Sequence, residues 1–183
     1  LKLFGMLILG GLQGLMGWYM VKSGLVDNPA VSHFRLAAHL GLALLIYALL
    51  LWLGLSLWGV KRRPSKPLLI HGIAALIVLS ITILWGAFTA GLDAGLLYNE
   101  SFPAMGGTLI PPDFHQYDTL WRNILHNPSA VQFIHRWLAM LTAAAVLSFW
   151  AHGLRRGISF AALHGAGAMV ALQFTLGLAT LLS

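Results

Sequence analysis

Two histidines inside long apolar runs are the residues of this sequence best suited to chemistry. His39 stands in RLAAHLGLALL and His135 in VQFIHRW, each near the start of its run. An ionisable side chain inside a membrane is costly without a partner, so such residues usually mark a functional site. Imidazole is a common axial ligand of heme iron. The pair therefore predicts a heme-binding membrane protein in which His39 and His135 are the metal ligands.

An arginine accompanies each histidine. Arg35 precedes His39 by one helical turn, Arg136 follows His135 directly, and Gln132 lies on the same helix face as His135. A guanidinium group forms paired hydrogen bonds with carboxylates, so the arginines are predicted to bind heme propionates. The alternative is a histidine bonded to a backbone carbonyl, with its arginine extending to water. Two similar pairs favour the heme interpretation.

The composition is that of a membrane protein. Hydrophobic residues make up 58% and charged residues 9% of the chain, whereas soluble domains average roughly 25% charged residues. Apolar runs long enough to cross a bilayer lie at 3–21, 36–58, 68–90, 131–152 and 159–182. None alternates as a strand does, and backbone groups in lipid must be satisfied internally. The predicted fold is all-α, a polytopic transmembrane bundle with five spans.

The net charge of +6 reflects membrane topology rather than nucleic-acid binding. If the spans alternate, one side carries Lys2, Lys61, Arg62, Arg63, Lys66, Arg155 and Arg156. The other side carries Lys22, Arg35, Arg122 and Arg136 together with all the acids, which are Asp27, Asp93, Glu100, Asp113 and Asp118. The positive-inside rule makes the first side cytoplasmic, or the matrix side in a mitochondrion. We therefore expect residues 91–130 on the periplasmic or intermembrane side.

The remaining potential ligands carry less weight. The chain has no cysteine, which excludes disulfides and thiolate chemistry, so redox activity requires a bound cofactor. His71, His152 and His164 lie at inner ends of the spans, where interfacial hydrogen bonds explain them. His33, His115 and His126 are predicted in outer loops and match no metal-binding spacing. All six are interpreted as structural.

The segment 91–130 is expected to be an ordered cover over the cofactor edges. It contains large apolar residues such as Phe102, Met105, Phe114, Tyr117 and Trp121, unlike a flexible linker. Asp93, between two glycines, suits a tight turn or a helix cap. Tyr98, Asn99 and the pair Gly106 and Gly107 are candidates to line the cofactor or substrate.

A short internal repeat relates the first and last spans. LQGLMG at 12–17 and LQFTLG at 172–177 share Leu, Gln and Gly in register. If the chain contains two like halves, copies of the spans that hold His39 and His135 fall outside the sequence. Each histidine is then expected to have its partner ligand elsewhere. The start at Leu1, without Met, also suggests an internal fragment.

Four motifs in order resemble the heme A synthase family, particularly its cysteine-free proteobacterial and mitochondrial branch. They are GGLQGLMGWYMVKSGL at 10–25, RLAAHLGLA from Arg35, AGLDAGLLYN with FPAMGG and LIPPDF, and NPSAVQFIHRWLA at 127–139. The resemblance implies eight transmembrane helices in two four-helix halves, each half holding one heme between two histidines. This chain looks like helices three to seven, with residues 1–66 in the substrate half and 67–183 in the heme b half.

The resemblance also implies roles for individual residues. His39 matches the second ligand of the site for heme O, the substrate, and His135 the first ligand of the heme b cofactor. A catalytic glutamate three residues before the other substrate-site histidine is expected upstream of Leu1, while Gln132 stands at the corresponding place before His135. The implied enzyme is an oxidoreductase that converts heme O to heme A for cytochrome oxidase assembly, although the fragment alone is expected to be inactive.

The implied partners are the lipid bilayer and an unidentified electron donor, with heme O synthase and oxidase assembly factors as candidates and homo-oligomerisation left open. One alternative is a diheme b-type electron carrier that leaves heme unmodified. Another is a transporter built from repeats, with the two histidines along its substrate path. Bound heme and its chemical identity distinguish these functions.

Overall fold

The computed structural model describes residues 2–24, 32–59 and 65–183, and these residues form a bundle of long helices. The long helices are α1 (Lys2–Gly24), α2 (His33–Leu57), α3 (Lys66–Gly91), α5 (Pro128–Arg155) and α6 (Ala161–Leu182). Between α3 and α5 lie a 3₁₀ helix (Ala94–Leu96) and the short helix α4 (Leu120–His126). Strand pairing in the described residues is limited to one bridge between Met105 and Thr108. The all-α prediction is confirmed.

The five long helices are membrane spans by length and composition, with mean hydropathy between 1.4 and 2.4. Their outward side chains are large and apolar: Leu7 is 72% exposed and Ile70 is 57% exposed. Helices with little buried surface and apolar outer faces are stable in lipid, where backbone groups bond within each helix. The chain is an integral membrane protein, and the helices match the predicted spans to within three residues at each end.

The helices alternate in direction. A Cβ added to Gly91, at the end of α3, would lie 2.7 Å from Cα of His33, at the start of α2. At the opposite end, Nδ1 of His71 on α3 lies 3.1 Å from Nδ1 of His152 on α5. The Lys2 ammonium lies 5.1 Å from the Trp52 ring near the end of α2. These contacts show which helix ends lie together at each end of the bundle.

The predicted distribution of charge holds for the described residues. Lys2, Lys66 and Arg155 share one end of the bundle, which we call the inner end, and the segment 92–127 covers the other. Lys61, Arg62, Arg63 and Asp27, which enter the same prediction, lie outside the described residues.

The outer segment is ordered by a tight turn and by the capping of α5. Gly106 and Gly107 have φ of +59° and +78°, and the flanking Met105 and Thr108 bond to each other, as in a tight turn that favours glycine. Asn127 caps α5 by accepting a hydrogen bond from the Ser129 amide, and its own amide donates to the carbonyls of Asp113 and Phe114. These bonds tie the segment to the helix that carries His135.

The prediction that His33 and His126 lie in outer loops is wrong. His33 is the first residue of α2 and His126 is the last of α4. Their rings meet edge to face at 5.3 Å, and the His33 ring packs against Phe88 of α3 at 5.4 Å. Apolar runs underestimate helices whose ends carry polar aromatic residues, because these residues pack like apolar ones while keeping a polar edge.

Because the chain lacks cysteine, single cysteines test the topology directly. We expect Ser65→Cys, beside the inner end, and Gln116→Cys, in the outer segment, to react with a membrane-impermeant maleimide from opposite sides of the membrane. Both positions are exposed, so the reaction reports sidedness rather than burial. Labelling of both from one side of sealed vesicles would contradict the alternation of helices.

Candidate functional site

A cavity of about 620 Å³ lies among α3, α5 and α6 beneath the outer segment. Its walls include His135 of α5, Gly86 of α3 and Phe174 of α6. Cofactor pockets typically measure roughly 300–1,000 Å³ and are mostly apolar with a few convergent polar groups. The cavity matches that description, because its surface is mostly apolar and one of the polar side chains along it is the predicted ligand His135.

His135 faces this cavity because a glycine leaves room for its ring. A Cβ added to Gly86 would lie 3.1 Å from Cε1 of His135. The Nδ1 atom is buried and makes no well-aligned hydrogen bond among the described residues. The nitrogen left to meet a ligand in the cavity is therefore Nε2. A single imidazole nitrogen directed into an apolar cavity is the donor that heme iron takes.

The neighbours of His135, Gln132 and Arg136, line the cavity and also hold the outer segment in place. Arg136 is 5% exposed and donates to the carbonyls of Ser101 at 2.8 Å and Ala104 at 3.0 Å, and also to that of Tyr98. The amide of Gln132 donates to the carbonyl of Leu97. A buried charge is tolerated when hydrogen bonds satisfy it, and here carbonyl oxygens bond to both terminal nitrogens, while Nε has no partner among the described residues. Binding of a propionate by Arg136 stays a prediction.

The outer segment contributes Phe102 and Gly95 to the cavity wall, whereas other residues proposed from the sequence do not reach it. Phe102 packs edge to face on Phe174 at 6.1 Å, and Gly95 also lines the cavity. Tyr98 and Gly106, proposed from the sequence as lining residues, instead contact each other, since a Cβ on Gly106 would lie 2.9 Å from the Tyr98 ring. Tyr98 therefore packs within the outer segment.

The remaining predicted lining residues, Asn99 and Gly107, are likewise absent from the cavity wall. Asp93 adopts φ of +51° in a turn, and its side chain makes no capping hydrogen bond. Of the two sequence interpretations of Asp93, the tight turn is confirmed and the cap is wrong.

Several lining residues were missed by the sequence analysis. Thr82 and Thr142 bond to each other at 2.6 Å where α3 meets α5, and both line the cavity. Hydroxyl groups are common between membrane helices, so their spacing gave no signal. Gln173 and Gly177 of α6 also line the cavity. The sequence did contain a signal for Gln173 and Gly177, because they occupy the Gln and Gly positions of the internal repeat.

His39 lies apart from this cavity, between α2 and α1. A Cβ added to Gly17 would lie 3.2 Å from Cε1 of His39. Nε2 of Gln13 lies 3.3 Å from Nε2 of His39, whose Nδ1 is buried. Arg35 stacks over the ring of Tyr19 at 5.2 Å. The predicted residues thus fall into two groups, one around His39 and one around His135.

The two groups share a design that fits a heme. Each histidine packs on a glycine of a neighbouring helix and buries its Nδ1, and each lies within two turns of the outer end of its helix. The apolar cavity beside His135 has the size of a cofactor pocket. Heme therefore fits the donor set around His135, and His39 offers the same kind of nitrogen ligand.

Comparison with known proteins places these groups in context. Residues 1–183 match the COX15-CtaA family, described as cytochrome oxidase assembly protein. The chain is 49% identical over 191 residues to heme A synthase of Rhodospirillum centenum, covering 99% of this chain and 50% of that protein. It is 45% identical over 192 residues to heme A synthase of Nitrosospira multiformis, covering 100% and 53%.

A mitochondrial-type relative is similar as well. Heme A synthase COX15 of Bos taurus is 45% identical over 186 residues, covering 93% of this chain and 44% of that protein. The chain thus spans about half the length of the curated relatives it matches. No solved structure matches it.

Arg136 is expected to control the order of the outer segment. Arg136→Ala removes hydrogen bonds from a charged donor, each worth about 1.5–3 kcal/mol, and leaves buried carbonyls unsatisfied. We expect amide hydrogen exchange of residues 97–104 to accelerate at least tenfold in nanodiscs. Arg155→Ala at the inner end is the matched control and should leave this exchange unchanged. Unaltered exchange in Arg136→Ala would refute the anchoring role.

Asp113 gives the outer segment a dependence on pH. It accepts hydrogen bonds from the hydroxyls of Tyr98 at 2.7 Å and Ser129 at 2.6 Å. Burial opposes its ionisation, but the bonds from Ser129 and Tyr98 outweigh burial and hold the pKa of Asp113 below its ordinary value of 3.8. The bond to Asp113 in turn raises the pKa of Tyr98.

A lowered folded-state pKa stabilises the fold above the ordinary aspartate range, and this stabilisation is lost as the pH falls through the folded-state value. We therefore expect exchange near Tyr98, corrected for its intrinsic rate, to rise as the pH falls below 3.8. Asp113→Asn should remove this acid sensitivity, whereas Asp118→Asn on the same segment should retain it. Equal profiles for both variants would contradict the assignment.

Proposed function

The chain belongs to the COX15-CtaA family of cytochrome oxidase assembly proteins, and from this premise we propose that it forms part of a heme A synthase. The proposed reaction oxidises a ring methyl group of heme O to the formyl group of heme A. Curated relatives at 45–49% identity carry that name. The observation that carries the proposal is His135, held on Gly86 with one nitrogen facing an apolar cavity of about 620 Å³.

Different residues would hold the two hemes. We propose that His135 ligates heme b in the cavity among α3, α5 and α6, within a half that comprises residues 67–183. His39 and Arg35, in the half comprising residues 1–66, would hold heme O. A bound heme supplies the redox chemistry of such a site. The second ligand of each heme is then expected outside residues 1–183.

The chain's own residues bind, orient and shield. Gly86 lets the His135 ring approach α3, which fixes the direction of Nε2. Arg136 and Phe102 hold the outer segment over the cavity and keep water from it. Exclusion of water strengthens electrostatic interactions and prevents side reactions in a redox site.

The absence of an acid beside His135 fits a cofactor half. Gln132, three residues before His135, is a neutral amide that donates to the Leu97 carbonyl. It provides no base or acid toward the cavity at neutral pH. Catalysis at the other half would use the glutamate expected upstream of Leu1.

Location and partners follow from the charges. We propose that the inner end, with Lys66 and Arg155, faces the cytoplasm or the mitochondrial matrix, so the outer segment faces the periplasm or intermembrane space. Electrons would come from a separate donor protein, and heme O from the enzyme that makes it.

Substitution of each histidine in the full-length protein tests the proposal. His135→Ala should remove heme b, whereas His39→Ala should chiefly reduce retention and oxidation of heme O. Gln132→Glu should leave the product unchanged. The measurement is heme composition by chromatography together with conversion of heme O to heme A. Bound heme without any heme A in cells that supply heme O would instead favour a diheme electron carrier, and unchanged heme content in both alanine variants would refute ligation.

A further inference from the structure

We propose that the side-chain amide of Gln13 competes with heme iron for Nε2 of His39 and so weakens the binding of heme at this histidine. The inference rests on the proposed function, because it concerns the heme that the His39 half would bind. Its basis is the contact between α1 and α2.

The orientation of the Gln13 amide follows from its two contacts. One amide atom lies 3.2 Å from the carbonyl oxygen of His39 and 3.3 Å from Nε2 of the same residue. A carbonyl oxygen only accepts, so the atom beside it must be the amide nitrogen. That nitrogen has two hydrogens, one for each contact. Gln13 therefore donates one hydrogen bond to the backbone carbonyl of His39 and another to its ring.

The hydrogen bond from Gln13 to the ring also determines the tautomer of His39. Because the Gln13 amide donates to Nε2, Nε2 presents its lone pair, and a neutral ring carries its proton on Nδ1. Nδ1 is buried within the chain without a hydrogen-bond partner among the described residues. A metal outside the chain can reach only Nε2. The amide and the iron thus require the same lone pair, and binding of one displaces the other.

The ring itself has little freedom to avoid this competition. Its Cε1 edge packs on Gly17, where an added Cβ would lie at 3.2 Å. The flexible side chain of Gln13 is therefore the part that must withdraw when a ligand binds. Its Oε1 is buried and unpartnered among the described residues, so the amide is held only through its nitrogen.

His135 has no such competitor among the described residues. The nearby Gln132 donates to the carbonyl of Leu97 instead of to the ring. Gln173, on the wall of the same cavity, makes no side-chain hydrogen bond among the described residues. A glutamine thus covers the ligand nitrogen of His39, and neither glutamine near His135 covers its nitrogen. A substrate that must leave as product suits the first arrangement, and a resident cofactor the second.

The test uses the full-length protein with His135→Ala, which isolates the His39 half, and hemin as the probe. Gln13→Leu removes one competing hydrogen bond, worth about 1 kcal/mol, so we expect hemin to bind about fivefold more tightly. The equilibrium partition of hemin between the variant and apomyoglobin measures this affinity. Gln13→Met, closer in shape to glutamine, should give the same direction of change and guards against a packing effect of leucine.

The matched control is Thr175→Val on α6, whose hydroxyl bonds to its own helix at Ala171, and it should leave the hemin affinity unchanged. Equal or weaker hemin binding by both Gln13 variants would overturn the proposal. Hemin binding that survives His39→Ala in this background would instead refute ligation by His39, and with it the proposed function of this half. The nitrogen chemical shifts of His39 in heme-free protein provide an independent measurement, because a proton on Nε2 would also overturn the proposal.

Discussion

The close approach of an imidazole ring to a neighbouring helix at glycine is the contact on which both candidate sites depend. His39 lies against Gly17 and His135 against Gly86, each near enough that a methyl group would press on the ring. In lipid, helices gain little from burying apolar surface against each other, so close packing at small residues decides which faces meet. The same glycines therefore fix both the helix pairs and the direction of the ring nitrogens.

A second constraint comes from the buried charge at Arg136. Its guanidinium is met by backbone carbonyls from residues 97–104 rather than by an acid. An unpaired charge in a low-dielectric setting is unstable, so the outer segment must keep its carbonyls in place. The same constraint holds Phe102 at the cavity wall, since Phe102 lies between these carbonyls in sequence and contacts α6. The hydrogen bonds of Arg136 thus both order the segment and hold Phe102 at the site.

The sequence predicted the membrane spans and their alternating direction, and it singled out His39 and His135 as candidate ligands. Long apolar runs and isolated ionisable residues can be recognised within a short stretch of sequence. It did not predict that Arg136 would bind carbonyls, since those partners lie more than thirty positions away in sequence. The helical positions of His33 and His126 were missed because histidine was counted as polar, although the two rings pack against each other as aromatic residues do. The tautomer of His39 was also out of reach, because it depends on which amide atom of Gln13 meets a carbonyl on another helix.

The internal repeat explains how one framework supports two roles. Both copies place a glutamine and a glycine one turn apart on a membrane helix, at Gln13 with Gly17 and at Gln173 with Gly177. A repeat with identical contacts would give two sites of equal affinity, which suits neither a resident cofactor nor an exchanging substrate. Here Gln13 touches the ligand nitrogen of His39 at 3.3 Å, whereas Gln132 and Gln173 leave that of His135 uncovered. Since one hydrogen bond shifts a binding equilibrium about fivefold, a small change in side-chain contacts is sufficient to separate the affinities of two otherwise similar halves.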